Sequence, residues 1–97
     1  MSNLYGLIFG KITKQSVAQK FKENGWEIRK SGFNEYEIKS EWSELNLEGK
    51  NEILINGDID FENFDKLEKL FSKLDLKYSL EIYDNQGELI KTVANNG

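Results

Sequence analysis

Apolar residues recur along this chain in two periods, one suited to strands and one to helices. From Leu4 to Phe9 nearly every position is apolar apart from Gly6, the pattern of a short strand buried on both faces. Gly10-Lys11 then turns the chain, and Thr13 is placed to cap a helix over about Lys14 to Asn24 with Val17 and Phe21 on its buried stripe. Ile12 and Val17 have the spacing of a hydrophobic staple, and Gly25 supplies the left-handed residue on which a helix stops. Trp26 to Lys30 alternates apolar and charged residues, so it reads as a half-buried strand ending at a Ser31-Gly32 turn. From Asn34 the alternation resumes, with Tyr36, Ile38, Ser40 and Trp42 on one face and Glu35, Glu37, Lys39 and Glu41 on the other.

Leu45 and Leu47 continue that pattern toward a turn at Glu48-Gly49-Lys50-Asn51, and Ile53 to Asn56 forms a further strand. Asp60 caps a second helix over about Phe61 to Leu74, whose stripe of Phe61, Phe64, Leu67, Leu70, Phe71 and Leu74 follows the helical period. Ile59 and Phe64 repeat the staple spacing. Tyr78 to Tyr83, a turn at Asp84-Asn85-Gln86-Gly87, and Glu88 to Val93 read as a hairpin, after which Ala94 to Gly97 is expected to fray. The order is strand, helix, two or three strands, a further strand, helix, two strands. It predicts one two-layer α+β domain spanning residues 1–97, with two helices packed on a mainly antiparallel sheet. The first strand–helix–strand unit admits a parallel crossover, and a ferredoxin-like variant is one candidate. With no proline, nothing in the sequence bars an edge strand from pairing with a partner.

Composition narrows the chemistry. The 97 residues contain no cysteine and no histidine, which removes disulfides, thiolate nucleophiles, the commonest general base and the commonest zinc ligand. The apolar run at the start is too short for a signal peptide core or a membrane span, so the expectation is a soluble, cytoplasmic protein that works without a cofactor or a metal. Charge is uneven. Residues 1–34 are net +4 and residues 35–97 net −8, giving the total of −4. That balance argues against direct nucleic-acid binding, which depends on cationic side chains, and is compatible with a basic protein partner.

Partial motifs fail on inspection. Gly10-Lys11-Ile12-Thr13 sits where a phosphate loop would, but Tyr5 stands in the place of its first glycine and Ile12 in that of its hydroxyl residue. Counting a calcium loop from Asp58 puts Asn63 at the obligatory glycine and Lys69 at the terminal carboxylate. Glu37-Ile38-Lys39 has the acid-x-lysine step of metal-dependent nucleases but lacks an upstream aspartate. Ser16 and Lys20 share a helical face with no oxyanion hole in prospect. Trp26 and Trp42, with Phe33 and Tyr36, are candidates for a base-stacking platform, yet the charges around Trp42 are Glu41 and Glu44, so core packing is the favoured reading. The chain is therefore expected not to be an enzyme.

One stretch remains. Between residues 35 and 48 the chain carries Glu35, Glu37, Glu41, Glu44 and Glu48 against a single lysine. Like charges on one sheet face repel, and a cationic partner would turn that repulsion into affinity; a merely solvated face is the other reading. Small size, acidity, absence of cysteine and histidine, and the alternation of elements resemble the immunity proteins of bacterial toxin systems, including those of contact-dependent growth inhibition. The resemblance implies a non-catalytic inhibitor that binds a cognate, basic toxin domain, with the five glutamates as candidate contacts. An acidic DNA mimic that blocks a defence nuclease, and a housekeeping interaction or oligomerisation module, are the alternatives.

Overall fold

The structure, a computed structural model, describes residues 1–95. Its elements are β1 (Ser2–Phe9), α1 (Lys14–Lys22), β2 (Glu27–Gly32), β3 (Glu35–Ser40), β4 (Ser43–Glu48), β5 (Ile53–Ile59), a 3₁₀ turn (Phe61–Asn63), α2 (Phe64–Lys73), β6 (Lys77–Tyr83) and β7 (Leu89–Asn95). The seven strands form one sheet in the order β2-β3-β4-β5-β1-β6-β7, and every neighbouring pair is antiparallel. The α+β two-layer expectation holds.

Two crossovers organise the sheet. β1 and β2 run parallel, but β5, β4 and β3 stand between them, so α1 carries the chain to the far edge. β5 and β6 are also parallel, with β1 inserted between them. This is the ferredoxin-like β-α-β-β-α-β connectivity, with its central hairpin lengthened to a four-strand meander and one strand added at the end. Both helices lie on the same face, because Phe21 of α1 meets Phe71 of α2 edge to face at 5.9 Å between ring centres. The core is a single layer between them and the sheet, filled by alternate strand residues such as Leu4, Ile8, Ile38, Leu45, Ile55 and Leu80.

The helix ends follow local chemistry. Thr13 accepts a hydrogen bond from the Ser16 amide at 3.0 Å, satisfying one of the unpaired donors at the start of α1. Thr13→Ala is expected to lower stability by about 1 kcal/mol, read as a shift in the urea midpoint with an unchanged slope. α1 stops earlier than the pattern suggests, at Lys22, and Gly25 takes a φ of 89° while the Trp26 amide bonds back to the Phe21 carbonyl. α2 ends the same way with Asp75 at φ 57° in the glycine's role and the Leu76 amide donating to Phe71. Asp60 caps the 3₁₀ turn, not the α-helix, which begins only at Phe64 and leaves Phe61 exposed.

Lys14 is buried, with its ammonium donating to the Gly49 carbonyl, so the start of α1 is tied to the β4–β5 turn. Gly6 is the one core-facing position of β1 without a side chain. A Cβ there would lie 2.2 Å from the Ser79 carbonyl oxygen and 2.6 Å from Leu80 Cδ2. Backbone cannot yield as a flexible side chain does, so Gly6→Ala is expected to push β1 from β6 and cost roughly 1–3 kcal/mol or more. Thermal unfolding of that variant measures it.

Other boundaries also differ from the pattern. Ser31 and Gly32 belong to β2, with a register shift at that point, and the turn is Phe33-Asn34, where Asn34 adopts φ 58°. Glu41-Trp42 is a tight turn between β3 and β4 instead of a continuation of the strand. Ala94 and Asn95 pair in β7 with Ser79 and Tyr78 where fraying was expected; the rest of that expectation, at 96–97, lies outside the described residues.

Candidate functional site

Among the described residues, no helix covers the second face of the sheet. The alternation that points Leu4 and Ile8 into the core points Tyr5, Leu7 and Phe9 out of it. Tyr5 is 51% exposed and Phe9 39%. The expectation for β1 is burial on both sides; it is an interior strand of the sheet but buried on one side only.

Cross-strand register builds the rest of this face. One row runs Glu37, Asn46, Asn56, Tyr5, Glu81 and Thr92 across six strands. A second runs Lys39, Glu44, Asp58, Asn3 and Tyr83. A third brings Glu48 beside Leu54 and Leu7. The result is an apolar centre of Tyr5, Leu7, Phe9, Leu54 and Tyr83, bordered by carboxylates. Tyr5 and Tyr83 meet edge to face at 5.8 Å. Desolvation, and then the Glu81 carboxylate, raise the Tyr83 phenol above its ordinary value.

The five glutamates of residues 35–48 do not form one strip. Glu37, Glu44 and Glu48 lie on the open face, and Glu35 stands exposed where β3 leaves the turn. Glu41 sits in the β3–β4 turn beside Trp42 and the α2 lysines, on the helix side of the molecule. The expectation that it shares a strand face with Glu35 and Glu37 is corrected: the chain reverses there, ending the alternation.

Part of the supposed repulsion is also relieved internally. Arg29 of β2 holds Glu37 through Nε and Nη2 at 3.0 and 2.6 Å, and Lys39 lies 3.1 Å from Glu44. Glu48 accepts a hydrogen bond from Asn56 Nδ2 at 2.7 Å. These exposed pairs contribute about 1 kcal/mol at most. Glu44 nonetheless stands directly opposite Asp58, a like-charge pair that does not stabilise the sheet.

The aromatic platform expected as an alternative is dispersed. Tyr36 and Trp26 are buried, Phe33 projects 96% exposed from a hairpin tip, and Trp42 is half-buried against Trp26, edge to face at 5.2 Å. Among the described residues no group of three carboxylates is placed to hold a metal ion, and no helix is long and apolar enough to cross a membrane. The acid-x-lysine step is occupied by ion pairs to Arg29 and Glu44.

The sequence reading missed Tyr5, Leu7, Phe9, Leu54 and Tyr83 as functional candidates. The signal is present in the doubly apolar run at Leu4 to Phe9, a pattern that fits a strand buried on both faces equally well. No protein-family model matches the chain, and no curated protein or solved structure matches it either.

Proposed function

We propose that this chain is a non-catalytic binding protein that docks a basic protein partner on its open sheet face. We propose further that it acts as a stoichiometric inhibitor, in the manner of an immunity protein. A single observation carries the reading: an uncovered aromatic and aliphatic centre is bordered by Glu37, Glu44, Glu48, Asp58 and Glu81. Apolar centre and polar rim are the anatomy of protein interfaces. Large contiguous apolar surface on an isolated domain is a liability unless something covers it. The carboxylate rim favours a cationic partner and speeds its approach.

The test is copurification of the tagged chain from its own host, followed by hydrogen exchange on the isolated complex. The expected result is a one-to-one complex with a cationic protein that protects β1, β5 and β6. A partner that leaves those strands unprotected removes the reading, as does self-association of the pure chain that protects them. Reversing two rim charges, Glu44→Lys with Glu81→Lys, is expected to slow association roughly tenfold at low salt and flatten its salt dependence. Glu41→Lys, on the other side of the molecule, is expected to leave both unchanged.

A further inference from the structure

The helix side of the molecule carries a second, oppositely charged surface. Lys66, Lys69 and Lys73 of α2 stand three and four residues apart, so they share one helical face over about 10 Å. They line an open groove of about 530 Å³ whose other walls include Trp42, Trp26, Glu41 and Asn24. All three lysines are exposed. Glu62 and Asp65 precede Lys66 and Lys69 by four residues, yet among the described residues none of the three lysines forms an ion pair. Like charges at these spacings destabilise a helix by a few tenths of a kcal/mol each; Lys73, in the last turn, is favoured by the helix dipole, but Lys66 and Lys69 are not.

The aromatic wall is held in place. Trp42 packs edge to face on Trp26, Trp26 on Phe21 at 4.9 Å, and Phe21 on Phe71, a chain of rings running from the groove into the core. The Trp42 amide donates to Ser40 Oγ at 3.3 Å, which fixes the turn that presents the indole. An ordered, half-exposed indole beside a row of ammonium groups suits a ligand with a flat ring and a negative tail. We propose that this groove binds a nucleoside phosphate, with the base against Trp42 and the phosphate along Lys66, Lys69 and Lys73.

Glu41 is then placed for the exocyclic groups of the base or the ribose hydroxyls, while the Asn24 amide nitrogen donates to the Lys20 carbonyl at 2.9 Å and helps hold that wall of the groove. The volume falls within the roughly 300–1,000 Å³ of small-molecule sites. The chain's net negative charge does not oppose this. The open-face carboxylates point away from the helices, and charges are screened beyond about 8 Å at physiological salt. Sequence neighbours alone argued against a platform, because Trp42 is flanked by Glu41 and Glu44; the lysines come from a helix more than twenty positions away.

The chain contains 2 tryptophans and both line the groove, so tryptophan emission reports on this site alone. The experiment is a titration of the whole chain at low salt with adenosine 5′-monophosphate, adenosine, inorganic phosphate and an oligothymidylate. Saturable quenching by the monophosphate, with much weaker response to adenosine or phosphate alone, is the expected result. The double variant Lys66→Ala with Lys69→Ala is expected to weaken it on the order of tenfold while the melting temperature holds. Tighter binding of the oligonucleotide assigns the source as single-stranded nucleic acid, and equal or weaker binding assigns it as free nucleotide. No quenching at millimolar monophosphate, an equal response to inorganic phosphate, or quenching unaltered in the double variant overturns the proposal. Loss of this site is expected to leave docking on the open face intact, so the two readings fail independently.

Discussion

Phe71→Ala is expected to destabilise the fold by about 3–5 kcal/mol. Phe71 is fully buried between the two helices and the sheet. Its ring contacts Phe21 of α1 at 5.9 Å and Tyr78 of β6 at 4.8 Å, both edge to face. Truncation removes the transfer free energy of the ring, leaves a cavity between rigid elements, and forfeits two ring contacts of about 0.5–1.5 kcal/mol each. A domain of this size has roughly 5–15 kcal/mol of stability in total, so a large share is lost and the melting temperature falls by roughly 15 °C or more. Phe33→Ala is the control. That ring is 96% exposed, and its removal is expected to change stability by no more than about 0.5 kcal/mol. Equal effects at the two positions, measured by urea denaturation, would contradict the placement of the core.

Tyr5→Ala is expected to weaken binding of the cognate partner by about 30-fold or more while leaving the fold intact. Tyr5 lies within the open face on an interior strand, with Tyr83 beside it and Asn56 and Glu81 across the two neighbouring strands. Aromatic anchors near the centre of an interface carry most of its energy, with losses of about 2 kcal/mol or more on truncation, and about 1.4 kcal/mol is tenfold in affinity. Because half of the ring is already in water, little burial is lost in the free protein. The measurement is calorimetric titration with the purified partner beside a thermal melt of the variant. A normal melt with undiminished affinity would sink the docking face, whatever the rim charges do.

Much of the local structure was legible from residue order. Thr13 as a cap, Gly25 as a stop, the buried stripe of Phe64, Leu67 and Phe71, and the in–out alternation of Tyr36 to Lys39 all appear in the structure as the pattern implies. Each depends on neighbours within one or two turns of chain, so the sequence states the physics directly. The errors cluster where two local rules compete. Glu41-Trp42 keeps the strand alternation although the chain reverses there. Phe61 keeps the helical period although Asp60 opens a 3₁₀ turn first.

The candidate site was only partly legible, and Leu4 to Phe9 shows why. Alternation says that Leu4 and Ile8 share one face and Tyr5, Leu7 and Phe9 the other, but an apolar face reads the same whether a helix or a partner is to cover it. The glutamates make the same point in reverse: Arg29 opposite Glu37 and Glu41 facing α2 are products of pairing and chain reversal, not of spacing.

Residue order by itself therefore settled the succession of helices and strands, the Thr13 cap and Gly25 stop of α1, the α+β class and the exclusion of cysteine and histidine chemistry. Strand order, the face left open, and the meeting of Lys66, Lys69 and Lys73 with Trp42 were decided only in three dimensions. The reason is that strands pair through backbone amides and carbonyls that are alike at every residue. Which strand meets which is chosen by how well all the layers bury their apolar faces together, a property of the whole chain and of no segment within it.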